Sequence, residues 1–249
     1  MEQKVNILDL SKRLTALVHL AVPGNVVADV GCDHGYVVIW LLSRGIFNKG
    51  IAMDVRKGPL EAATVNCHRY RMEDKMELRL SDGLTKYDPG DSDAIICAGM
   101  GGALMRSILE REPEKLAGVK QLILQPQSEI FLVRRFLREN GFVIEAEDMI
   151  LEDGKFYPMM RAVPVKPDKE KKREELSNEQ QEAEDYYGPV LLREKHPVLY
   201  AYLEKEAGII SGIKEKLEQG KQGSEKSESD KAELEKRSKR VMLAKARFE

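Results

Sequence analysis

Short apolar runs alternate with helix-like segments over the first 140 residues, and this alternation limits the fold more than any other feature. The strand-like runs are residues 26–30, 50–54, 76–80, 93–98 and 121–125. Helical spacing is found over residues 7–21, 36–43, 58–70, 103–110 and 128–139. The runs are nearly continuous and rich in β-branched residues, as in parallel strands that are covered on both faces. The pattern predicts a doubly wound α/β sheet of the Rossmann-like type.

The pattern changes after residue 140. Two strand-like runs, residues 142–151 and 156–164, flank the dipeptide Asp153-Gly154. Asp-Gly between two such runs is a strong signal for a β-hairpin. We therefore expect the mostly parallel sheet to end in an antiparallel hairpin rather than in another parallel unit.

Charged residues become denser near residue 165, although the formal net charge of the whole chain is only -2. This change predicts two domains, a sheet domain over residues 1–165 and a charged helical domain over residues 166–249. Residues 166–185 are mostly charged and polar, so they are either a solvated linker or the start of a charged helix.

Helical spacing returns in the last fifty residues. The apolar positions are Leu199, Leu203, Ile210, Ile213 and Leu217, followed after a glycine-containing break at 220–224 by Leu234, Val241 and Phe248. The last three residues recur every seven positions. We predict two amphipathic helices that form an antiparallel coiled-coil hairpin; the alternative is a single charged tail.

Composition excludes several classes of protein. The nearly neutral net charge argues against a protein that binds nucleic acid through a generally basic surface, although it is compatible with a local basic patch. Cys32, Cys67 and Cys97 form no C-x-x-C pair, which argues against a disulfide framework or a structural zinc site. The chain also shows neither a secretory leader at residues 1–10 nor an apolar run of the ~18 residues that a membrane span needs. We expect a cytoplasmic protein without a metal ion.

Glycine and acidic residues follow successive strands. The first strand runs into Asp29-Val30-Gly31-Cys32-Asp33-His34-Gly35, and the second ends in Asp54. Ser81-Asp82-Gly83 follows the third strand and Ala98-Gly99-Met100-Gly101-Gly102 the fourth. The carboxyl ends of parallel strands share one edge, where open α/β sheets bind their ligands. Carboxylates at these positions can accept hydrogen bonds from ribose hydroxyls and from an adenine amino group.

The glycine pattern helps to choose between nucleotide cofactors. A nicotinamide dinucleotide site prefers G-x-G-x-x-G, and here Asp33 replaces the second glycine. S-adenosylmethionine carries adenosine and a charged amino acid without a pyrophosphate, and an antiparallel final hairpin suits a methyltransferase sheet. We predict S-adenosyl-L-methionine as the cofactor. The predicted cofactor-binding residues are Asp29, Gly31, Cys32, His34, Gly35, Asp54, Asp82, Gly83, Gly99 and Met100.

Three motifs together resemble the bacterial tRNA (adenine-22-N1)-methyltransferase family. They are residues 29–36 (DVGCDHGY), 98–102 (AGMGG) and 124–127 (LQPQ), and residues 10–14 (LSKRL) are similar to the opening helix of that family. The resemblance covers essentially the whole chain, and it implies a class I methyltransferase domain, S-adenosylmethionine and a tRNA substrate. The chain departs from the family pattern at four positions: Cys32 replaces a serine, Gly35 an alanine, Asp54 a glutamate and Gln127 an asparagine.

The chemistry of adenine N1 suggests a role for Asp33. N1 has an in-plane lone pair, so it can attack the sulfonium methyl group without a general base. Positive charge then develops on the base, and a carboxylate beside it would stabilise that charge. We predict Asp33 as the catalytic residue; its alternative role is to cap the following helix. The sequence at 98–101 lacks the Asn/Asp-Pro-Pro-aromatic motif of enzymes that methylate the exocyclic nitrogen, which favours the ring nitrogen.

The substrate surface is predicted from small residues, polar residues and cations. The predicted substrate-binding residues are Lys12, Arg13, Tyr36, Gly101, Gly102, Gln125 and Pro126. Further basic patches lie at residues 44, 56–57, 134–138, 236–240 and 245–247; each could contact phosphate or be a solvated helix face. We expect a monomer that acts on tRNA rather than on DNA or at a membrane. The alternatives are a methyltransferase for another RNA, a protein or a small molecule, and a non-catalytic RNA-binding module of the same fold.

Overall fold

A computed structural model describes residues 8–165, 176–218 and 228–249 of the 249-residue chain. The chain divides into two compact units, residues 1–170 and residues 171–249, called here the sheet unit and the helical unit. The predicted boundary at residue 165 stays a prediction, because residues 166–175 lie outside the described ranges. In those ranges, no helix is long and apolar enough to cross a lipid bilayer.

The sheet unit alternates strands and helices along the chain. Its described elements are α1 (Lys12–His19), β1 (Gly24–Val30), α2 (Tyr36–Ser43), β2 (Phe47–Asp54), α3 (Lys57–Arg69), β3 (Met76–Leu80), β4 (Ala94–Met100), α4 (Gly102–Arg111), β5 (Gln121–Pro126), α5 (Ile130–Glu139), β6 (Phe142–Glu152) and β7 (Lys155–Pro164). A short 3₁₀ turn, Pro113–Leu116, follows α4. The predicted positions of all the strands are confirmed to within a few residues.

The strands form one sheet with the order β3-β2-β1-β4-β5-β7-β6. The first five strands in this order are parallel, whereas β7 runs antiparallel to β5 and β6. This confirms the predicted mostly parallel sheet with a final hairpin. The strand order changes direction at β1, which pairs with both β2 and β4: β2 and β3 lie on one side of β1, and β4 and β5 lie on the other. Ligands of open α/β sheets bind in the crevice that such a reversal creates at the carboxyl ends.

Both faces of the central strands are covered, which explains why β1, β4 and β5 are apolar at most positions. Ala28 of β1 belongs to a core cluster with residues of α4 and α5, whereas its neighbour Val27 belongs to a second cluster with residues of α1, α2 and α3. Both side chains are completely buried. A strand between two helical layers has no solvent face and therefore no polar alternation.

The first helix is shorter than the predicted span of residues 7–21. It begins at Lys12, because the Ser11 side chain caps it by accepting a hydrogen bond from the backbone N–H of Leu14 at 3.3 Å. It ends at His19, and Pro23 follows shortly after. Residue 7 lies outside the described residues. The apolar spacing on both sides of α1 comes from irregular segments that also pack on the sheet.

The helical unit has four helices in its described residues, where the sequence predicted two. They are α6 (Asn178–Tyr187), α7 (Pro189–Arg193), α8 (Pro197–Glu218) and α9 (Glu228–Lys245). A capping box of Ser177 and Gln180 starts α6 inside the segment predicted as a linker or a charged helix. The predicted break at 220–224 and all of residues 166–175 fall outside the described residues.

Helices α8 and α9 run antiparallel. The ring of Tyr200 near the start of α8 packs on Phe248 just beyond α9, and Lys214 near the end of α8 donates to Ser238. Helix α6 also packs on α9, so the arrangement is more than a two-helix hairpin. Coiled-coil geometry itself stays a prediction.

Candidate active site

A cavity of about 510 Å³ opens at the carboxyl ends of β1, β2, β3 and β4. Most of the predicted site residues line it. These are Arg13, Asp29, Gly31, Cys32, Asp33, His34, Tyr36, Asp54, Asp82, Gly83, Gly99 and Met100. Six predicted residues are absent from the lining: Lys12, Gly35, Gly101, Gly102, Gln125 and Pro126.

The loop after β1 is fixed by backbone hydrogen bonds to the neighbouring strand. The N–H groups of Gly31 and Cys32 both donate to the carbonyl oxygen of Met53, at 2.8 and 2.9 Å. The N–H of Asp33 donates to Oδ2 of Asp54 at 3.2 Å, and that of Gly35 to the carbonyl of Cys32 at 2.8 Å. These amides are therefore engaged within the protein, and they do not form the cluster of free N–H groups that binds a pyrophosphate.

Asp33 has a left-handed backbone with a φ of 50°, which is uncommon for a residue with a side chain. Its side chain is 62% exposed at the cavity, and Oδ2 lies 3.6 Å from Nε2 of His34. Gly35, not Asp33, occupies the N-cap position of α2, and no side chain caps that helix. The capping alternative for Asp33 is therefore wrong. A strained residue that the surrounding loop holds in place is typical of a functional position.

Asp54 is a buried carboxylate at the end of β2. Its Oδ1 accepts a hydrogen bond from the N–H of Arg56 at 2.9 Å, and its Oδ2 accepts the one from Asp33. Each carboxylate oxygen has two acceptor positions, so both oxygens keep acceptor capacity for a ligand. The two backbone donors thus fix the orientation of the Asp54 carboxylate and still leave acceptor positions for a ligand.

Asp29 at the end of β1 is a second buried carboxylate. Burial raises its pKa from 3.8 to about 7, and the neighbouring charge of Asp54 adds to this effect. Among the described residues, no group donates a hydrogen bond to its side chain. A cationic ligand in the cavity would lower the pKa of Asp29. It could then pair with the Asp29 carboxylate, which has no competing donor among the described residues.

Cys32 and Cys97 are the thiols nearest to these acids. Burial raises both thiol pKa values far above their ordinary range, and the charge of Asp29 raises them further. Both thiols are therefore protonated near neutral pH. Since the thiolate is the nucleophilic form, neither cysteine is suited to covalent catalysis.

The end of β4 bends at Gly99. The pairing of β4 with β5 shifts register between Ala98 and Met100, and Gly99 has a φ of 79°. A Cβ atom at Gly99 would lie 3.8 Å from Nη1 of Arg13 and from Nε2 of Gln127. The glycine permits the bend, and its missing side chain leaves room beside two polar groups.

The next two glycines have a packing role. A Cβ atom on Gly102 would lie 2.5 Å from the carbonyl oxygen of Ser128, and the N–H of Gly102 donates to that oxygen at 2.9 Å. A Cβ atom on Gly101 would lie 3.1 Å from Oγ of Ser128. Close approach of α4 to the loop after β5 thus requires small residues here. The N–H of Gly102 is already used, and the predicted substrate contacts of both glycines stay predictions.

Arg13 and Gln125 are joined by a hydrogen bond. Nη1 of Arg13 donates to Oε1 of the completely buried Gln125 at 2.7 Å, and the guanidinium lies 5.7 Å from the ring centroid of Tyr157. Gln125 thus orients Arg13 without facing the cavity itself. Pro126 is buried beside it, and the side chain of Lys12 is exposed.

His34 and Tyr36 form a stacked pair at the cavity, with ring centroids 5.7 Å apart and an interplanar angle of 29°. The amide of Asn66 donates to the carbonyl of His34 at 3.0 Å and fixes this part of the loop to α3. Gly35, between the two rings in sequence, faces Met76 and Ala63 instead of the cavity. Two aromatic rings at the mouth of a polar cavity can stack on a nucleobase.

The cavity fits S-adenosylmethionine better than a dinucleotide. Two buried carboxylates suit a ligand with hydroxyl groups and cationic groups, whereas they would repel a pyrophosphate. The engaged amides of the loop after β1 point to the same conclusion. Asp82 at the β3 end is exposed and accepts a hydrogen bond from Arg111 at 3.0 Å, which leaves its other oxygen available.

The comparisons with known proteins agree with this geometry. Residues 10–160 match the model of the methyltransferase domain family. Over 241 residues the chain is 31% identical to the tRNA (adenine(22)-N(1))-methyltransferase of Bacillus subtilis, which covers 97% of this chain and 98% of that protein. The chain belongs to the tRNA (adenine(22)-N(1))-methyltransferase family.

Solved structures of two relatives have the same architecture over almost the whole chain. The m1A22 tRNA methyltransferase of Bacillus subtilis aligns with a TM-score of 0.81 and 31% identity, covering 97% of this chain and all of that one. A Streptococcus pneumoniae protein solved in complex with S-adenosyl-L-methionine aligns with a TM-score of 0.79 and 30% identity, again over 97% and 100%. The helical unit is therefore part of the architecture that these family members share.

Sequence reasoning missed part of the cavity wall in this member of the family. The missed lining residues are Leu14, Val30, Val37, Val55, Ser81, Ala98, Leu104, Ile108 and Gln127, whereas Arg56 was predicted among the basic patches. Val55 is 60% exposed and Leu104 is 54% exposed, so both offer apolar surface to a ligand. Two signals were present: Val55 directly follows Asp54, and Leu104 and Ile108 are four residues apart on α4.

The predicted basic patches differ in what they can contact. The side chain of Arg134 is only 2% exposed and pairs with the buried Glu147 at 2.9 Å, so it cannot reach a tRNA phosphate. Arg240 in the helical unit is buried and pairs with Glu182 and Glu233. By contrast, Arg56 at the cavity is 70% exposed, although its Nε lies 3.8 Å from Asp54. Exposure thus separates candidate substrate contacts from structural cations.

Proposed function

We propose that this protein transfers the methyl group of S-adenosyl-L-methionine to N1 of adenine 22 in tRNA. The observation that carries the proposal is the strand-end cavity with its buried acids, in a chain that matches the Bacillus subtilis enzyme over nearly its full length. The S-adenosyl-L-methionine complex of the Streptococcus pneumoniae relative supports the choice of cofactor.

The residues around the cavity suit the parts of this cofactor. Asp54, which keeps acceptor capacity on both oxygens, is proposed to accept hydrogen bonds from the ribose hydroxyls. Asp82 is proposed to accept from the adenine amino group, with Val55 as an apolar surface beside the ring. Asp29 is proposed to face the cationic part of the molecule, since burial without a donor makes a carboxylate favour a cation.

The chemistry that remains for the protein is alignment and charge stabilisation. The bound cofactor supplies a sulfonium methyl group that the N1 lone pair can take directly. Asp33, exposed at the cavity mouth, is proposed to stabilise the positive charge that grows on the adenine ring. No residue has to remove a proton from N1 first, which is consistent with the protonated thiols of Cys32 and Cys97.

The target adenine must reach the cavity unpaired, since Watson–Crick pairing hides N1 in a duplex. Extruding a base from a helix costs a few kcal/mol, and stacking on aromatic rings can offset part of this. The stacked His34 and Tyr36 are proposed to provide that surface. We further propose that the protein acts in the cytoplasm as a monomer, on tRNA and not on DNA or at a membrane.

A transfer assay tests the proposed function. The protein is incubated with methyl-labelled S-adenosyl-L-methionine and an unmodified tRNA transcript, next to the same transcript with guanine at position 22. We expect label in the first transcript and none in the second. Equal labelling of both would contradict the choice of adenine 22. Absence of label from both, with retained cofactor binding, would favour a protein or small-molecule substrate, and absence of cofactor binding would favour a non-catalytic module.

A further inference from the structure

The loop that carries Asp33 is held by two different elements. On the side of β2, the N–H of Asp33 donates to Oδ2 of Asp54 at 3.2 Å. On the side of α3, Nδ2 of Asn66 donates to the carbonyl oxygen of His34 at 3.0 Å. The two hydrogen bonds enclose Asp33 and His34, so together they fix the backbone from which both side chains project.

The backbone conformation of this loop needs such support. Asp33 has a φ of 50° and Gly35 a φ of 71°, so two left-handed residues stand close together. A Cβ atom on Gly35 would lie 2.8 Å from Cε of Met76 and 3.2 Å from Cβ of Ala63. Ala63 and Asn66 are three residues apart and therefore lie on one face of α3. Helix α3 thus supports the loop with a packing contact and a hydrogen bond.

Asn66 is a buried amide at a helix position that packing alone would give to an apolar residue. It is 7% exposed, next to the equally buried Cys67 and on the same face as Ala63. None of the residues of α3, all of which the structure describes, lines the cavity. A buried amide is costly unless it is hydrogen-bonded, and the partner of Asn66 is a carbonyl of the loop. The amide therefore serves the loop and not the helix.

The side chain of Asp33 depends on this backbone for its position. It is 62% exposed, and Oδ2 lies 3.6 Å from Nε2 of His34, the ring of which stacks on Tyr36. An exposed carboxylate has few contacts that could hold it independently of its backbone. Misplacement of a charge-stabilising group by about 1 Å can cost about 100-fold in rate.

We propose that Asn66 is a positioning residue for methyl transfer: its hydrogen bond to His34 fixes the backbone that aims the Asp33 carboxylate at the target base. This inference rests on the proposed function, in which Asp33 stabilises the positive charge on adenine. Asn66 acts only through the loop. The hydrogen bond between Asp33 and Asp54 does not involve α3, so the cofactor side of the loop keeps its own support.

Single-turnover kinetics and calorimetry of Asn66→Leu test this role. Leucine is close to asparagine in size and cannot donate to His34. We expect the single-turnover rate of tRNA methylation to fall about 10- to 100-fold. The Kd of S-adenosyl-L-homocysteine should change less than about threefold, because the lost interaction acts on the transition state. A rise in Kd as large as the loss of rate would overturn the proposal.

The matched control is Thr64→Val on the same helix. The hydroxyl of Thr64 donates to the carbonyl of Leu60 at 2.9 Å, so this variant removes a hydrogen bond within α3 and leaves the loop untouched. Both the rate and the Kd should stay within about twofold of the wild type. A loss of rate like that of Asn66→Leu would overturn the proposal, because general damage to α3 would then explain both variants.

A double-mutant cycle tests whether Asn66 acts through Asp33. In the Asp33→Asn background, Asn66→Leu should lower the rate less than about twofold, because the carboxylate that it positions is already absent. The same loss of rate in both backgrounds would overturn the proposal. An active wild type that is insensitive to Asp33→Asn would overturn it too, because the group through which Asn66 acts would have no role.

Asn66→Asp gives a second test that does not depend on the folding of Asn66→Leu, since asparagine and aspartate have nearly the same shape. A protonated carboxyl group can donate to the carbonyl of His34, whereas a carboxylate cannot. Burial favours the protonated form. The rate relative to the wild type should therefore be higher at about pH 5.5 than at about pH 8.5. A relative rate that does not increase at the lower pH would overturn the proposal.

The wild-type protein separates this proposal from the one on which it rests. If the wild type transfers no methyl group to tRNA, the proposed function itself is contradicted. If the wild type is active and the variants give one of the overturning results, only the role of Asn66 is lost. Melting temperatures show which variants fold like the wild type.

Discussion

The two units use their charged residues in opposite ways. At the strand ends of the sheet unit, Asp29 and Arg13 are at least half-buried, and neither has an oppositely charged partner among the described residues. In the helical unit, all the described cations of α9 except Lys236 are paired with acids of the same unit. The pairs are Lys231–Glu228, Arg237–Glu206, Lys239–Glu179, Arg240–Glu182, Arg240–Glu233 and Lys245–Glu204.

This difference shows what charge density means in each unit. The helical unit is rich in charge, but most of its described cations on α9 stabilise the packing of its own helices. In the cavity, Asp29 and Arg13 have no oppositely charged partner among the described residues, so their charges are available to a ligand. A buried charge without a partner is therefore a better sign of function here than a long basic run. The following predictions test that distinction, from the largest expected effect to the smallest.

Asp33→Asn should have the largest effect on catalysis. Its carboxylate is at the cavity mouth, where positive charge would develop on the base. We expect kcat to fall about 100-fold, within the range seen when one charge-stabilising group is removed. The Kd of S-adenosyl-L-homocysteine should stay within about threefold. Single-turnover kinetics and calorimetry measure the two effects, and equal losses in both would make Asp33 a cofactor-binding or folding residue.

Arg240→Met should destabilise the helical unit. The variant removes two ion pairs and the contact with the ring of Tyr186, whose centroid lies 4.0 Å away. We expect the free energy of unfolding to fall by about 1–3 kcal/mol, because two acids lose their partner. Calorimetric melting measures this, with the exposed Lys236→Met as the matched control. An unchanged melting temperature together with lost tRNA binding would show that Arg240 contacts tRNA, which would contradict the proposed difference between the units.

Asp29→Asn should stabilise the protein in a pH-dependent way. The folded protein keeps the proton of Asp29 up to about pH 7, whereas the unfolded chain loses it near pH 4. Wild-type stability therefore falls as pH rises from about 4 to about 7, and the loss persists above pH 7. Because asparagine does not ionise, the gain in melting temperature should be larger at pH 8 than at pH 5.

The same variant should also weaken cofactor binding, since the cationic part of the ligand would lose its carboxylate. Thermal melting and calorimetric titration at both pH values provide the readouts. A stability difference that does not vary with pH would show that Asp29 ionises normally in the folded protein.

Lys236→Gln combined with Arg247→Gln should have the smallest effect. These residues of the helical unit have no acidic partner among the described residues, so their charges are available. We expect the melting temperature to change by less than about 1 °C, as is usual for exposed positions. The Kd for tRNA should rise about threefold, with a weaker dependence on salt. An unchanged Kd and salt dependence would exclude these two cations from the tRNA surface.

Local sequence patterns were sufficient to predict the sheet and the acids at its edge. Asp29, Asp54 and Asp82 were found because each marks the end of an apolar run, and strand ends meet at one edge whatever the rest of the chain does. The final hairpin was found because Asp-Gly defines its own turn. These features depend on contacts between neighbours in sequence or on the general geometry of parallel sheets.

Features that depend on long-range packing were not predictable in this way. Arg134 has the sequence of a surface cation, and only the folded chain places it against Glu147. The contact of Arg13 with Gln125 joins residues 112 positions apart, so no local pattern in the sequence indicates it. Helix α6 begins in the segment that the sequence left open between a linker and a charged helix. Helix α7 was not predicted, because five residues are too few to show a helical repeat, although Val190 and Leu191 become buried in it.

The identity of the methylated atom tests the account most directly. A methyl group on N1 blocks the Watson–Crick edge of adenine and stops a reverse transcriptase, whereas a methyl group on the exocyclic nitrogen still allows pairing. After incubation of the unmodified tRNA with the protein and S-adenosyl-L-methionine, primer extension should stop at position 22, and nuclease digestion should release 1-methyladenosine. Read-through at position 22, release of N6-methyladenosine or a stop at another position would contradict the account.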